Sequence, residues 1–257
     1  VAAAHGGAMI ASLLPEGMSL GHYAGMAAMV LVGACLQGIG GIGFAMFSAP
    51  IAALFYPELA PGPLLALGGP LALMSALREF EQIDWGAAGT ALVGRVVGTL
   101  GAAVCLMLLP PALLSVMFAL FILAGVALSL SGRRIEASRG NMVGAGVASG
   151  LMGTITSAGA PPFALVMQHL PPPRLRATLG CVFFVGASIS LAMLASVGRF
   201  GRHELWLSAW LLPLMVAGFA LSGPLNRRVS RRAVRGMLLG LSAFGAIALL
   251  LREAFGA

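Results

Sequence analysis

Arg95 stands near the middle of a long apolar stretch, residues 85–110, and no acidic residue sits at comparable depth to pair with it. A charge at the centre of a membrane span costs roughly 2.5–3.5 kcal/mol on insertion scales, so it must face the protein interior or a watery cavity. An arginine so placed can hold an anion, or it can snorkel or cap carbonyls freed by a broken helix; the missing acid favours the anion. Two other stretches supply donors. Residues 37–50 read Q-G-I-G-G-I-G-F-A-M-F-S-A-P, and residues 150–162 read G-L-M-G-T-I-T-S-A-G-A-P-P. The first holds Gln37 and Ser48, the glycines Gly38, Gly40, Gly41 and Gly43, and Pro50. The second holds Gly150, Gly153 and Gly159, the hydroxyls of Thr154, Thr156 and Ser157, and the pair Pro161 and Pro162. A helix broken at such a stretch presents free N–H groups and partial positive charge at the start of its second half, and these bind anions. Each hydroxyl alone could equally bond back to its own helix. Clustered beside a glycine break and with Arg95, they make a cage of donors for a small anion that needs no metal and no cofactor.

These groups must be positioned at membrane depth. Hydrophobic residues make up 59% of the 257 and charged residues 9%, against about 25% charged in soluble domains. Several apolar runs reach the roughly 20 residues that span a bilayer, which leaves no space for a soluble catalytic domain. All 15 basic residues are arginine, and the net charge is +7. All but Arg95 fall at the ends of apolar runs, so the positive-inside rule accounts for them better than nucleic acid does. Cys35, Cys105 and Cys181 lie far apart in apolar runs, without metal-ligand spacing. Residues 1–21 carry a weak apolar patch without a basic start and read as a short N-terminal segment.

Residues 23–56 are free of charge and read as two connected segments, 22–40 and 43–57, separated by the glycine break. Unwound backbone in a bilayer survives only where protein buries it or where it lines a polar cavity. A segment over 64–76, weakened by Gly68, Gly69 and Pro70, leads to the charged connector Arg78, Glu79, Glu81 and Asp84. Spans follow at 85–110 and 112–131, then a basic loop with Arg133, Arg134 and Arg139. The second half repeats the order: a broken segment over 142–168, prolines at 171–173, a span at 177–197, a connector with Arg199, Arg202, His203 and Glu204, a span at 205–225, the basic cluster 227–235 and a short helix over 236–251. A shift of 112 positions lays Gly38, Gly41 and Pro50 on Gly150, Gly153 and Pro162. Two Gly/Pro-interrupted segments in corresponding halves point to a transporter site.

The expected fold is therefore an all-α polytopic membrane protein of two inverted repeats, each with a broken helix forming a hairpin plus full spans, about 8–10 transmembrane segments. Residues 22–131 form the first repeat, 132–140 the connecting loop and 141–255 the second repeat. Both basic clusters, 133–139 and 227–235, belong on the cytoplasmic side. They share it only if the second broken segment crosses and returns, which places both chain ends outside the cytoplasm. The Gly-xxx-Gly pairs Gly94/Gly98, Gly146/Gly150 and Gly236/Gly240 read as close helix packing. His22, His169, His203, Glu58 and Asp84 lie at span edges and build no proton relay. An anion leaving a negative-inside cell already gains about 2.3 kcal/mol per charge per 100 mV.

With these residues in view, the chain resembles the TauE/SafE family of sulfite and organosulfonate exporters. The resemblance rests on the two breaks, each followed by proline, on I-D-W at 83–85 after the charged connector, and on R-R-V-S-R-R at 227–232 before the last helix. It covers roughly 22–255. It implies an inner-membrane, multi-pass bacterial permease for a small sulfur-containing anion such as sulfite, sulfoacetate or another sulfonate, with the two breaks meeting at the substrate site. The second break departs from the glycine-dense pattern, with Thr154 and Thr156 where the first has Ile42 and Phe44. An anion channel or a carrier for a different small anion remains the alternative. An intramembrane hydrolase fits less well, because Ser48 and Ser157 have only His169 and His203, near span ends, as partners. The implied partners are the anion and the lipid bilayer, with no nucleic acid; a homo-oligomer is compatible with the sequence.

Overall fold

The computed structural model describes residues 18–41, 43–132, 135–168, 170–225 and 231–255. Most of the expected N-terminal segment, Ile42 of the first break, Arg133, Arg134, His169, Arg227 and Arg228 lie outside the described residues. Ten helices occur among them: α1 (Leu20–Gly40), α2 (Phe44–Phe55), α3 (Gly62–Arg78), α4 (Trp85–Leu108), α5 (Pro111–Leu130), α6 (Arg139–Thr156), α7 (Pro161–Val166), α8 (Pro172–Ser196), α9 (Arg202–Leu225) and α10 (Arg231–Phe255). No strand occurs among the described residues. Six helices, α1, α4, α5, α8, α9 and α10, are long and apolar enough to cross a bilayer.

The helix starts follow from the sequence. Ser19, Asp84 and Ser138 cap α1, α4 and α6 by accepting the N–H of His22, Ala87 and Asn141, satisfying donors that every helix start leaves open. Prolines open α5, α7 and α8, where the missing N–H costs nothing. Along α4 the large apolar residues Val93, Val97, Leu100, Val104 and Met107 are exposed, while Ala88, Ala91, Arg95, Gly98 and Ala102 are buried. The two rows are offset at helical period, so α4 shows bulk to lipid and small residues to its neighbours. This rotation is what turns Arg95 inward.

Some elements depart from expectation. Gly68, Gly69 and Pro70 do not interrupt α3, which runs unbroken to Arg78; helices in lipid tolerate such residues where packed neighbours surround them. The last helix is longer than the expected 236–251. The pairs Gly94/Gly98 and Gly146/Gly150 do pack tightly: a Cβ on any of the four would overlap backbone of the facing helix, α6 or α4. Gly236 and Gly240 have no atom in reach of a Cβ, so the expected packing role fails there.

The principal helix contacts come in matched sets. α4 packs on α6 as α9 packs on α1, α4 on α8 as α9 on α3, and α5 on α7 as α10 on α2, while α3 meets α8 and α5 meets α10. Exchanging the first five helices for the second five maps this set onto itself. The match extends to backbone approach: a Cβ at Gly98 would overlap the Val147 carbonyl, and one at Gly218 the Leu31 carbonyl.

Each broken segment turns back. At the open end of the first hairpin, His22 at the start of α1 pairs with Glu58 just past α2, and a Cβ at Gly25 would overlap the Tyr56 hydroxyl. Its tip, Gly41, lies against Arg176 near the start of α8. The second hairpin opens at the other end, where Ile135, Met142, Met167, Leu170 and Leu175 pack together. Its tip, Ser157, reaches Pro61 just before α3. The two hairpins point in opposite directions.

Candidate functional site

The breaks fall at Gly41–Gly43 and at 157–160. Gly41 ends α1 with φ 80°, the left-handed conformation that a glycine adopts without strain. Ser157 ends α6 in the same conformation, φ 63°, a cost that a non-glycine residue must recover elsewhere. Its hydroxyl donates to the Pro61 carbonyl at 2.9 Å, and the Thr156 hydroxyl accepts the Ala158 N–H at 3.1 Å. Those bonds hold the strained turn. The structural equivalents are therefore Gly41 and Ser157, 116 positions apart, and not the pairs found at a shift of 112. Gly153, Thr154 and Thr156 belong to the last turns of α6 rather than to the break.

Both breaks border one cavity of about 60 Å³, several times the roughly 10–15 Å³ that one water needs. Gln37, Gly43, Phe44, Ala45 and Met46 line it from the first hairpin, and Ser157, Gly159 and Ala160 from the second. Arg95 enters from α4, Phe183 from α8, and Leu64, Leu65 and Gly68 from α3. Of the residues expected at a site, Gln37, Gly43, Arg95, Ser157 and Gly159 thus line one cavity.

Arg95 is 3% exposed. Its Nη1 donates to the Ser149 hydroxyl at 2.7 Å, and that hydroxyl donates to the Gly159 carbonyl at 2.6 Å. The guanidinium carbon lies 5.4 Å from the centre of the Phe183 ring, within cation–π range. Nε has no partner. The three ion pairs among the described residues, His22–Glu58, Arg174–Asp84 and Arg176–Glu79, all lie at helix ends, so Arg95 is a buried cation without a counter-ion among them. Room for it exists because α8 has Gly186 here: a Cβ would overlap Nε.

The first half-helix adds donors. Gln37 Oε1 accepts the N–H of Gly43 at 2.9 Å and of Phe44 at 3.0 Å, so the side chain caps α2 from across the break. The next two N–H groups, of Ala45 and Met46, have no acceptor within a helix start, and both residues line the cavity. The second half-helix contributes less. Pro161 and Pro162 bring no N–H, and α7 is six residues long. The expected symmetry of two half-helix N-termini gives way to one such terminus and one arginine on the same cavity.

The other expected residues lie elsewhere. Gly38 packs on Ser222 and Phe219 of α9, Gly150 on the Arg95 backbone, and Gly153 beside the Arg95 guanidinium and Gly159. Gly40 is exposed, and Gly41 borders a separate cleft. The Ser48 hydroxyl is buried without a partner, close to Gly33 of α1. Pro50 packs on Gly245 and Pro161 on Gly125. Thr154 bonds to Thr99 at 3.2 Å and Ser190 at 2.8 Å, tying α6 to α4 and α8, and Thr156 bonds back to Met152. Ser149, Phe183 and Gly186 join the site without having been among the residues expected there. Ser149 lies one helical turn before Gly153 on the face that meets α4, a visible signal; Phe183 and Gly186 carry none, since both are ordinary residues of an apolar span.

A family model described as sulfite exporter TauE/SafE matches residues 25–249, most of the chain. No match is found among curated proteins or among solved structures.

Proposed function

Because the chain belongs to the sulfite exporter TauE/SafE family, a family of membrane transporters, we propose that it exports a small sulfur-containing anion, sulfite or an organosulfonate such as sulfoacetate, across a bacterial inner membrane. The observation that carries this reading is the Arg95 guanidinium, buried without a carboxylate and with Nε unpartnered, on the wall of a cavity bounded by both breaks. A buried cation of this kind is costly unless an anion completes it. A tetrahedral sulfonate or pyramidal sulfite offers pairs of oxygens that a guanidinium fork engages, and the α2 N-terminus adds N–H groups to the same cavity. The apolar remainder, with Phe44, Leu64, Leu65 and Phe183, suits the small organic part of a sulfonate.

The end that carries Arg78, Arg139, Arg174, Arg176 and Arg235 is, in this reading, cytoplasmic, and the end with Arg199, Arg202 and Arg252 faces away. The two five-helix units act as inverted repeats that rock about the central cavity. Sulfite efflux from liposomes containing the purified protein tests the reading. The wild type is expected to saturate with substrate and to show counterflow, and Arg95→Gln to lose transport at least tenfold while remaining folded. Wild-type rates in Arg95→Gln would overturn it.

A further inference from the structure

A second cleft lies between the Arg95 cavity and the arginine-rich end. It is lined by Gln37, Gly38, Gly41, Ser75, Arg78, Arg176 and Phe219. Gln37 borders both spaces. Two cations therefore stand on the line leading from that end to Arg95.

Their partners differ in an informative way. Arg176 donates through Nε and Nη2 to the two carboxylate oxygens of Glu79, the two-pronged geometry in which a guanidinium binds carboxylates and tetrahedral oxyanions such as phosphate. Arg78 has no carboxylate among the described residues; its guanidinium carbon lies 4.9 Å over the Phe219 ring. Gly41 is also fitted to this place, because a Cβ there would come within 2.6 Å of the Arg176 side chain. The tip of the first hairpin rests directly on Arg176. The cleft is only about 10 Å³, room for a single water at most, so an arriving anion has to take the position of the Glu79 carboxylate.

We propose that Arg78 and Arg176 form a second anion station on the arginine-rich side, which receives a small oxyanion in exchange for Glu79 and passes it by Gln37 to Arg95. Glu79 is a tethered stand-in for the substrate, neutralising Arg176 while the station is empty. The station takes the same chemical class as the central cavity, a sulfite or sulfonate, and so rests on the transport reading above.

The test is sided sulfite flux in liposomes with the protein in known orientation, for wild type, Arg78→Gln, Arg176→Gln and Glu79→Gln. Expected is a rise of about tenfold in KM from the arginine-rich side for each arginine variant, with KM from the other side unchanged. Glu79→Gln removes the competitor and leaves both cations, so its KM from the arginine-rich side falls severalfold. A purely structural ion pair predicts the reverse for Glu79→Gln, namely loss of transport and of thermal stability, and that result would overturn the station, as would arginine variants with wild-type KM on both sides. Failure of the transport reading looks different: the wild type itself then moves no sulfite, or moves it independently of Arg95.

Discussion

The Arg95 guanidinium and the Ser149 hydroxyl are joined by a 2.7 Å hydrogen bond, and through it the cation is tied to the carbonyl of Gly159 in the second break. Ser149 therefore positions the charge against the second break. Ser149→Ala removes the sole hydrogen bond of the guanidinium among the described residues. A hydrogen bond to a charged group contributes about 1.5–3 kcal/mol, so sulfite transport in liposomes is expected to fall about tenfold or more, with the protein still monodisperse.

Gly186 tests the same cation from the other side. A Cβ there would overlap Arg95 Nε, so Gly186→Ala displaces the guanidinium. Transport is expected to fall as far as in Arg95→Gln, while melting in detergent reflects the roughly 1–3 kcal/mol of ordinary overpacking. The double variant is expected to be no worse in transport than either single one, since both act on one group.

Gln37 separates capping from charge. Gln37→Ala uncaps the N-terminus of α2 and is expected to cost about 0.5–2 kcal/mol of stability, read as a lower melting temperature. Gln37→Glu keeps the accepting oxygen for Gly43 and Phe44 but sets a negative charge on the cavity wall. That variant is expected to fold as the wild type does and to raise KM for sulfite at least tenfold.

Asp84 gives a pH dependence outside the membrane. The Ala87 N–H and, beyond it, Arg174 hold its carboxyl below the ordinary value of 3.8, against the opposing effect of burial. A depressed folded-state value means stability that is present above the unfolded value and is lost as pH falls through the folded one. Wild-type melting temperature is therefore expected to drop below about pH 4. Asp84→Asn retains the cap and loses the charge, so this step is expected to be smaller in melts across the acid range.

The breaks were legible because glycine clusters have few other reasons to occur within an apolar run, and residues 37–43 and 150–162 contain both turns. Arg95 was legible because charge at depth is rare. The register between the halves was not. Glycines on α1 and α6 serve helix contacts and recur about once per turn, so matching Gly38 to Gly150 gives a shift of 112, one turn from the 116 that relates Gly41 to Ser157. The same error placed Thr154 and Thr156 in the break, although both finish a helix. The length of α3 was hidden by Gly68, Gly69 and Pro70, which stop helices in water and do not stop this packed one. Phe183 and Gly186 needed the fold, since only the packing of α8 on α4 brings them to Arg95.

The central claim, that a small anion is held between the two breaks by Arg95, is tested most directly by locating one. Selenite is the heavier analogue of sulfite, and its anomalous scattering in crystals of the protein identifies its position without ambiguity. The account predicts a selenium peak within about 4.5 Å of Arg95 Nε, one Se–O bond beyond a hydrogen-bonded oxygen, between Met46 and Gly159, and its loss in Arg95→Gln. A peak elsewhere, or an unchanged peak in the variant, would contradict it.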